Sequence, residues 1–188
     1  MAIRVRLEVS AHHCHVSRRD LDVLYGRGSR LQRLRPISQP GQFASRQTLQ
    51  IEIGTGLLTL RIVGPVRPRS QVEIAMTEAR ALGVRPPVTH FGNPAVRRAI
   101  CRLIGPRGSL RRAAVIVAQR HLHCDPVTAK KLGFHSGQYV SVRTRGPRPV
   151  TFHQVAVRVH PRFRFRCHLD TDEANAAGLR GGEWGTII

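Results

Sequence analysis

The sequence predicts a mainly β protein: two related β-barrel domains built from an internal repeat, capped by short α-helices, with the active site in the cleft between them. Three observations carry this expectation. Short strand-like segments are punctuated by glycine and proline. Four brief helix signals interrupt them. The chain also repeats itself at fixed offsets, which points to paired structural units.

The strand-like segments, in order, are IRVRLEV, TLQIEIG, LLTLRIVGP, AVIVAQRHLH, YVSVRTR, VTFHQVAVRV and RFRCHL. Each mixes β-branched or aromatic residues with alternating polar ones, as a half-buried strand does. The helices have start signals of their own. Ser17 with Asp20 reads as a capping box before RRDLDVLYG, Thr77 caps EARALG, Asp125 followed by Pro126 opens VTAKKLG, and Thr171 or Asp172 opens EANAAG. Each ends near a glycine, at Gly26, Gly83, Gly133 and Gly178, where a left-handed C-terminal cap is expected. GPRGS, residues 105–109, lacks the lysine of a phosphate-binding loop and reads as a hairpin turn.

Sliding the chain by 108 residues places His13 on His121 and His15 on His123. Sliding it by 95 sets PVRPRSQVEIAMTEARALG against HPRFRFRCHLDTDEANAAG, matching Arg67 with Arg162, Glu78 with Glu173 and Gly83 with Gly178, and putting Glu73 on His168. The halves expected from this repeat are residues 1–88, carrying His13, His15, Arg67 and Glu73, and residues 89–188, carrying His121, His123 and His168. The stretch 84–100 is the best boundary, and the repeat allows strand exchange between the halves.

With 188 residues, 41% of them hydrophobic, the chain can bury real cores. No apolar run approaches the ~20 residues of a membrane span, and the N-terminus lacks the zones of a signal peptide, so a cytoplasmic protein is expected. A net charge of +20 calls for an anionic partner or substrate. The arginines are scattered from Arg4 to Arg180, aromatics are only 5%, and no nucleic-acid motif is present; nucleic acid is therefore disfavoured as a partner. The four cysteines, Cys14, Cys101, Cys124 and Cys167, show no CxxC spacing. Three of them neighbour a histidine of interest, and strand alternation turns them to the opposite, core face.

His-x-His on a strand points both imidazoles the same way, so that one cation can receive a nitrogen from each at about 2.0–2.1 Å. Two such pairs in repeated contexts, each with a further ligand at an equivalent position, give six candidate ligands: His13, His15, Glu73, His121, His123 and His168. They divide into two sets of three, the pattern of a catalytic zinc with an open position, although cobalt or iron fits the same donors. His90, His135, His153 and His160 have no partner pattern and read as surface residues. Glu78 and Glu173 read as complements to helix N-termini.

These residues resemble the PduL-type phosphotransacylases (phosphate propanoyltransferases) over nearly the whole chain. VSxxHxH, SQPGQFA, GPxRxxxQVEI, RHLH and HLDTDEANAAGL stand in the family's order and spacing. The resemblance implies two helix-capped β-barrels, two zinc ions per chain in one active site, and reversible transfer of a short acyl group, propanoyl or acetyl, between coenzyme A and inorganic phosphate. It assigns Glu73, His121 and His123 to one zinc and His13, His15 and His168 to the other. It makes Arg67 the phosphate-binding, catalytic arginine and places Ser10, Arg61 and Asn175 against coenzyme A, and it suggests that SQPGQFA lines the cleft. The chain departs from the family at His12, where an arginine is usual, and at Cys14, where an aliphatic residue is usual; His12 is expected on the opposite strand face. A homo-oligomer, ordinarily a dimer, is expected. Some members enter bacterial microcompartments through an added amphipathic segment, whereas this sequence starts almost directly in its first strand, which favours the cytoplasm over the microcompartment lumen or shell.

Two other functions use the same features. A binuclear zinc hydrolase would act on thioesters or phosphoesters without needing phosphate. A basic nucleic-acid-binding protein would be indifferent to loss of the histidines. Within the acyltransferase reading, direct attack by phosphate is expected, with cysteine acyl carriers as the rival.

Overall fold

The structure is a computed structural model describing residues 2–90 and 96–188, so residues 91–95 of the expected boundary stretch lie outside the described residues. In chain order its elements are β1 (Ile3–Ser10), β2 (His13–His15), α1 (Arg18–Tyr25), β3 (Arg33–Pro36), β4 (Phe43–Ile53), β5 (Gly56–Gly64), β6 (Gln71–Ile74), α2 (Met76–Ala81), β7 (Val88–Thr89), β8 (Ala99–Ile104), β9 (Ser109–Ala118), β10 (His121–Cys124), α3 (Pro126–Leu132), β11 (Tyr139–Arg143), β12 (Thr151–Val159), β13 (Arg166–Asp170), α4 (Thr171–Ala176) and β14 (Trp184–Ile187). The mainly β class and the four helices agree with the sequence. None of these helices is long and apolar enough to cross a membrane.

The strands close into two six-stranded barrels. The first lies within His12–Ala118: β4 pairs β5, β5 pairs β2, and the path continues through β6, β9 and β8 back to β4. Its core gathers Leu21, Leu24, Leu49, Ile51, Leu60, Ile62, Val72 and Leu103. The second comprises the described residues of Met1–Ala11 together with Gln119–Ile188, in the order β1-β13-β10-β12-β11-β14. Val5, Leu7, Leu122, Val142, Val155, Val157 and Leu169 fill it.

The repeat maps one barrel onto the other strand by strand. At the offset of 108, β2 falls on β10 and α1 on α3; at 95, β5 falls on β12, β6 on β13 and α2 on α4. The offsets differ because the first half has thirteen more residues between its first helix and its first long strand, a segment that holds β3 and SQPGQFA. Strand β1 falls on β9, and each pairs in parallel with the strand that carries a third candidate ligand: β1 with β13, and β9 with β6. The first strand of the chain thus completes the second barrel, and its counterpart β9 completes the first.

Local chemistry explains most helix ends. Ser17 Oγ accepts from Asp20 N–H at 3.1 Å, but the Ser17 N–H donates to Ser70 Oγ, so only half of the expected capping box forms; Asp125 accepts from Thr128 N–H with Pro126 at the first position, as expected. The other two starts are corrected: Ala75, not Thr77, precedes α2, and Asp170, not Thr171 or Asp172, precedes α4. Glu78 and Glu173 decide this, because each carboxylate turns back to the N–H of residue 75 or 170, at 2.8 and 3.2 Å. Asp170 answers by accepting from Glu173 N–H, which alanine cannot do. At the far ends Gly83, Gly133 and Gly178 take left-handed φ values of 68°, 71° and 66°. AVIVAQRHLH, one strand in the sequence reading, breaks at residues 119–120, and GPRGS forms the β8–β9 turn, with Gly105 N–H donating to Gly108 O.

Asp20, only 2% exposed, ties α1 to β9. Arg112 donates to both of its oxygens and Ser70 O–H donates at 2.5 Å. Burial alone would raise the carboxyl's pKa, but these donors outweigh burial and hold it below 3.8. Its ionised form therefore contributes stability that is complete above the ordinary value and is lost as pH falls through the depressed one. Asp20→Asn should lower unfolding free energy at neutral pH by about 1–2 kcal/mol, a figure reduced for the solvent-reached outer end of Arg112. Urea titrations of variant and wild type should converge in acid.

All four cysteines are buried, at 0–2% exposure. Burial pushes the thiols of Cys101 and Cys167 up to about 12 and that of Cys124 to about 11, and raises Cys14 further still. At neutral pH they are protonated and poor nucleophiles. Iodoacetamide should leave all four unmodified in the folded protein and alkylate all four after urea unfolding, read by intact mass.

Candidate functional site

In the first barrel, β2 and β6 run antiparallel with His13 opposite Glu73 and His15 opposite Gln71. Alternation sends Cys14 and Val72 into the core, at 1% and 0% exposure, and leaves His13, His15 and Glu73 on the other face. One donor atom from each of the three lies within 4.8 Å of the others, and His13 Nε2 is 3.7 Å from Glu73 Oε2. His15 is 3% exposed, and its Nδ1 donates to Val63 O at 2.8 Å. Burial above all, then the positive charge of Arg67, holds its pKa well below the ordinary value. His15 is therefore a neutral imidazole with Nδ1 tied to a carbonyl, which leaves Nε2 as a lone-pair donor.

The second barrel repeats this on β10 and β13, with His121 opposite His168 and His123 opposite Arg166. Donor atoms of His121, His123 and His168 again lie within 4.8 Å of one another. The His121 and His168 rings stack at 5.0 Å, and His123 lies 4.6 Å from each. His121 Nδ1 donates to Gln119 O at 2.8 Å, the same tautomer-fixing contact as at His15. The first set is thus a compact group of nitrogen and oxygen donors and the second one of nitrogen donors, both suited to a borderline divalent cation such as zinc.

The close groups within each barrel differ from the partition that the resemblance implies: Glu73 lies with His13 and His15, and His168 with His121 and His123. The reason is register: each third ligand stands directly across one antiparallel pair from the first histidine of its own barrel.

Arg67 is held at the end of β2 by a bridge to Ser17 and by its N–H donating to Val16 O, and its Nη2 donates to Gln42 Oε1 at 3.3 Å. Gln42 belongs to SQPGQFA, so that segment does reach Arg67. Arg61 stands beside His13 in the β2–β5 register, with its guanidinium donating to the carbonyls of Ser45 and Arg46. Ser10 and Asn175 lie in the second barrel: Ser10 ends β1 opposite Asp170, and Asn175 is an exposed residue of α4. Arg162, the counterpart of Arg67, is exposed, and its backbone N–H donates to His160 Nδ1. His90, His135, His153 and His160 join neither donor set.

Sequence reasoning missed the supports. Gln71 is 1% exposed and its Nε2 donates to Glu73 Oε1 at 2.7 Å, aiming that carboxylate. The residue before each His-x-His pair binds the glutamate that starts the following ligand-strand helix: His12 Nδ1 meets Glu78 Oε1, and Arg120 Nη1 donates to Glu173 Oε1 at 2.7 Å. The offsets that align the histidines also align these two pairs, which is the signal that could have found them. His12 accordingly stands apart from the first donor set.

The family profile described as phosphate propanoyltransferase matches residues 6–180. A phosphate propanoyltransferase of Thermotoga maritima is 42% identical over 183 residues, spanning 96% of this chain and 87% of that protein. One from Rhodopseudomonas palustris is 40% identical over 182 residues, 96% of this chain and 80% of its own. One from Enterococcus faecalis is 38% identical over 183 residues, covering 97% and 87%. Each match takes in both donor sets and the helices that follow them. The chain therefore belongs to the phosphate propanoyltransferase family and is an acyltransferase.

Proposed function

We propose that the chain transfers a propanoyl or acetyl group reversibly between coenzyme A and inorganic phosphate, using two zinc ions, one held by His13, His15 and Glu73 and one by His121, His123 and His168. The observation that carries this reading is the paired donor sets in equivalent strand register, each with a histidine whose Nδ1 is tied to a carbonyl. Zinc bound there would supply Lewis acidity toward carbonyl or phosphate oxygen. Arg67 receives the phosphate: its planar fork matches two phosphate oxygens, and Gln42 steadies the guanidinium by accepting from Nη2. Gln71 keeps Glu73 turned toward His13. Ser10, Arg61 and Asn175 contact coenzyme A.

The buried, protonated cysteines favour direct attack over a covalent carrier. A phosphate oxygen adds to the thioester carbonyl, and the tetrahedral intermediate collapses with cleavage of the carbon–sulfur bond, giving acyl phosphate and the coenzyme thiolate. A hydrolase using the same residues would release thiol without phosphate, so propanoyl-CoA assayed with and without phosphate separates the two.

Metal analysis should find two zinc ions per chain, with one remaining in His13→Ala and one in His121→Ala. The double variant His13→Ala/His168→Ala should hold none, because it damages both sets; retention of one ion would restore the crossed partition. Arg67→Lys should raise KM for phosphate roughly 10-fold and leave KM for acyl-CoA nearly unchanged, since charge remains but the paired donors are lost. Arg162→Lys should change neither constant. Equal small effects at fixed ionic strength would remove Arg67 from the site.

A further inference from the structure

We propose that Glu8 is the carboxylate of the second metal centre, a positioning residue that acts through His168. The proposal rests on the two-centre reading above and adds a residue to it. The repeat shows why one is needed. The first set contains a carboxylate, Glu73, with two imidazoles; at the position of Glu73 the second set has His168 and so contains no carboxylate. A divalent cation would leave the first set with a net charge of about +1 and the second with about +2 if the imidazoles are neutral.

The missing charge stands one strand away. Glu8 lies directly opposite His168 in the parallel β1–β13 register, on the side of β13 away from β10. Its Oε2 is 3.5 Å from His168 Nε2, and its Oε1 is 3.3 Å from Arg166 Nε. At the counterpart position in the first barrel stands Ile116, fully buried. Arg166 is the counterpart of Gln71. Thus the residue two before the third ligand holds a carboxylate in both barrels: Gln71 holds Glu73, and Arg166 holds Glu8. The carboxylate has moved to the adjacent strand, and its holder has changed from an amide to a guanidinium.

Because Glu8 faces Nε2 of His168, His168 would hold the metal through Nδ1. A carboxylate behind a metal-ligating histidine fixes the ring and makes it a stronger donor, and its loss costs about 10–100-fold in metal affinity. Glu8 also comes from β1, so the second centre draws on the first strand of the chain as well as on residues 121–168.

The test measures zinc dissociation constants by competition with a chromophoric chelator, together with the visible spectrum of the cobalt-substituted protein. Wild type, Glu8→Gln and Glu8→Asp are compared, each also in a His13→Ala background that isolates the second centre. Glu8→Gln should weaken the second site about 10–100-fold, alter its cobalt spectrum and leave the first site unchanged, while Glu8→Asp, which keeps the charge, retains most of the affinity. Matching circular dichroism of the metal-free proteins shows that the fold is intact. Equal affinities and spectra in wild type and Glu8→Gln would reduce Glu8 to a surface ion pair of Arg166 and overturn the proposal. Wild-type protein holding fewer than two zinc ions would instead overturn the two-centre reading, and the proposal with it.

Discussion

The antiparallel pairing of a short His-x-His strand with the strand of its third ligand is the constraint on which the rest of the structure depends. His13 opposite Glu73 and His121 opposite His168 are single-register facts. A slip of one residue would turn the histidines into the core and bring Cys14 or Leu122 to the surface, so burial of those residues holds the donor sets in place. The helix after each ligand strand locks the same register from its end, through Glu78 and Glu173 and the residues 12 and 120 that they bind.

The exchanged strands show how a duplicated unit can become unequal without losing its frame. β1 and β9 occupy equivalent places, yet β9 brings Ile116 beside Glu73 where β1 brings Glu8 beside His168. The thirteen-residue segment present only in the first half adds Gln42 next to Arg67, whereas Arg162 stands exposed without such a partner segment. Two frames of one origin thus differ at the few positions that handle charge.

The strong basic excess has a structural side as well. With 31 basic side chains against 11 acidic ones, carboxylates are scarce, and many of them have structural tasks. Asp125 and Asp170 cap helices, Asp20 is buried against Arg112, and Glu183 accepts from the N–H groups of residues 180 and 181. Few acids remain to offset the arginines spread over both barrels, so the surroundings of the donor sets favour anionic substrates through long-range field more than through any single patch.

By itself the sequence determined the mainly β class, the helices, the six candidate donors and the repeat, because each rests on local periodicity or on identity at a fixed offset. The start of α1 was legible for the same reason: Ser17 and Asp20 meet within one turn. The start of α4 was not, since Thr171, Asp172 and Asp170 are all competent caps and only the folded-back carboxylate of Glu173 selects among them. Only the tertiary structure decided which third candidate ligand lies across from which histidine pair, that Gln71 aims Glu73, and that Glu8 faces His168. Those contacts run between strands distant in the chain, and spacing along a sequence carries no information about which strand lies beside which, or in what register, until the barrels close.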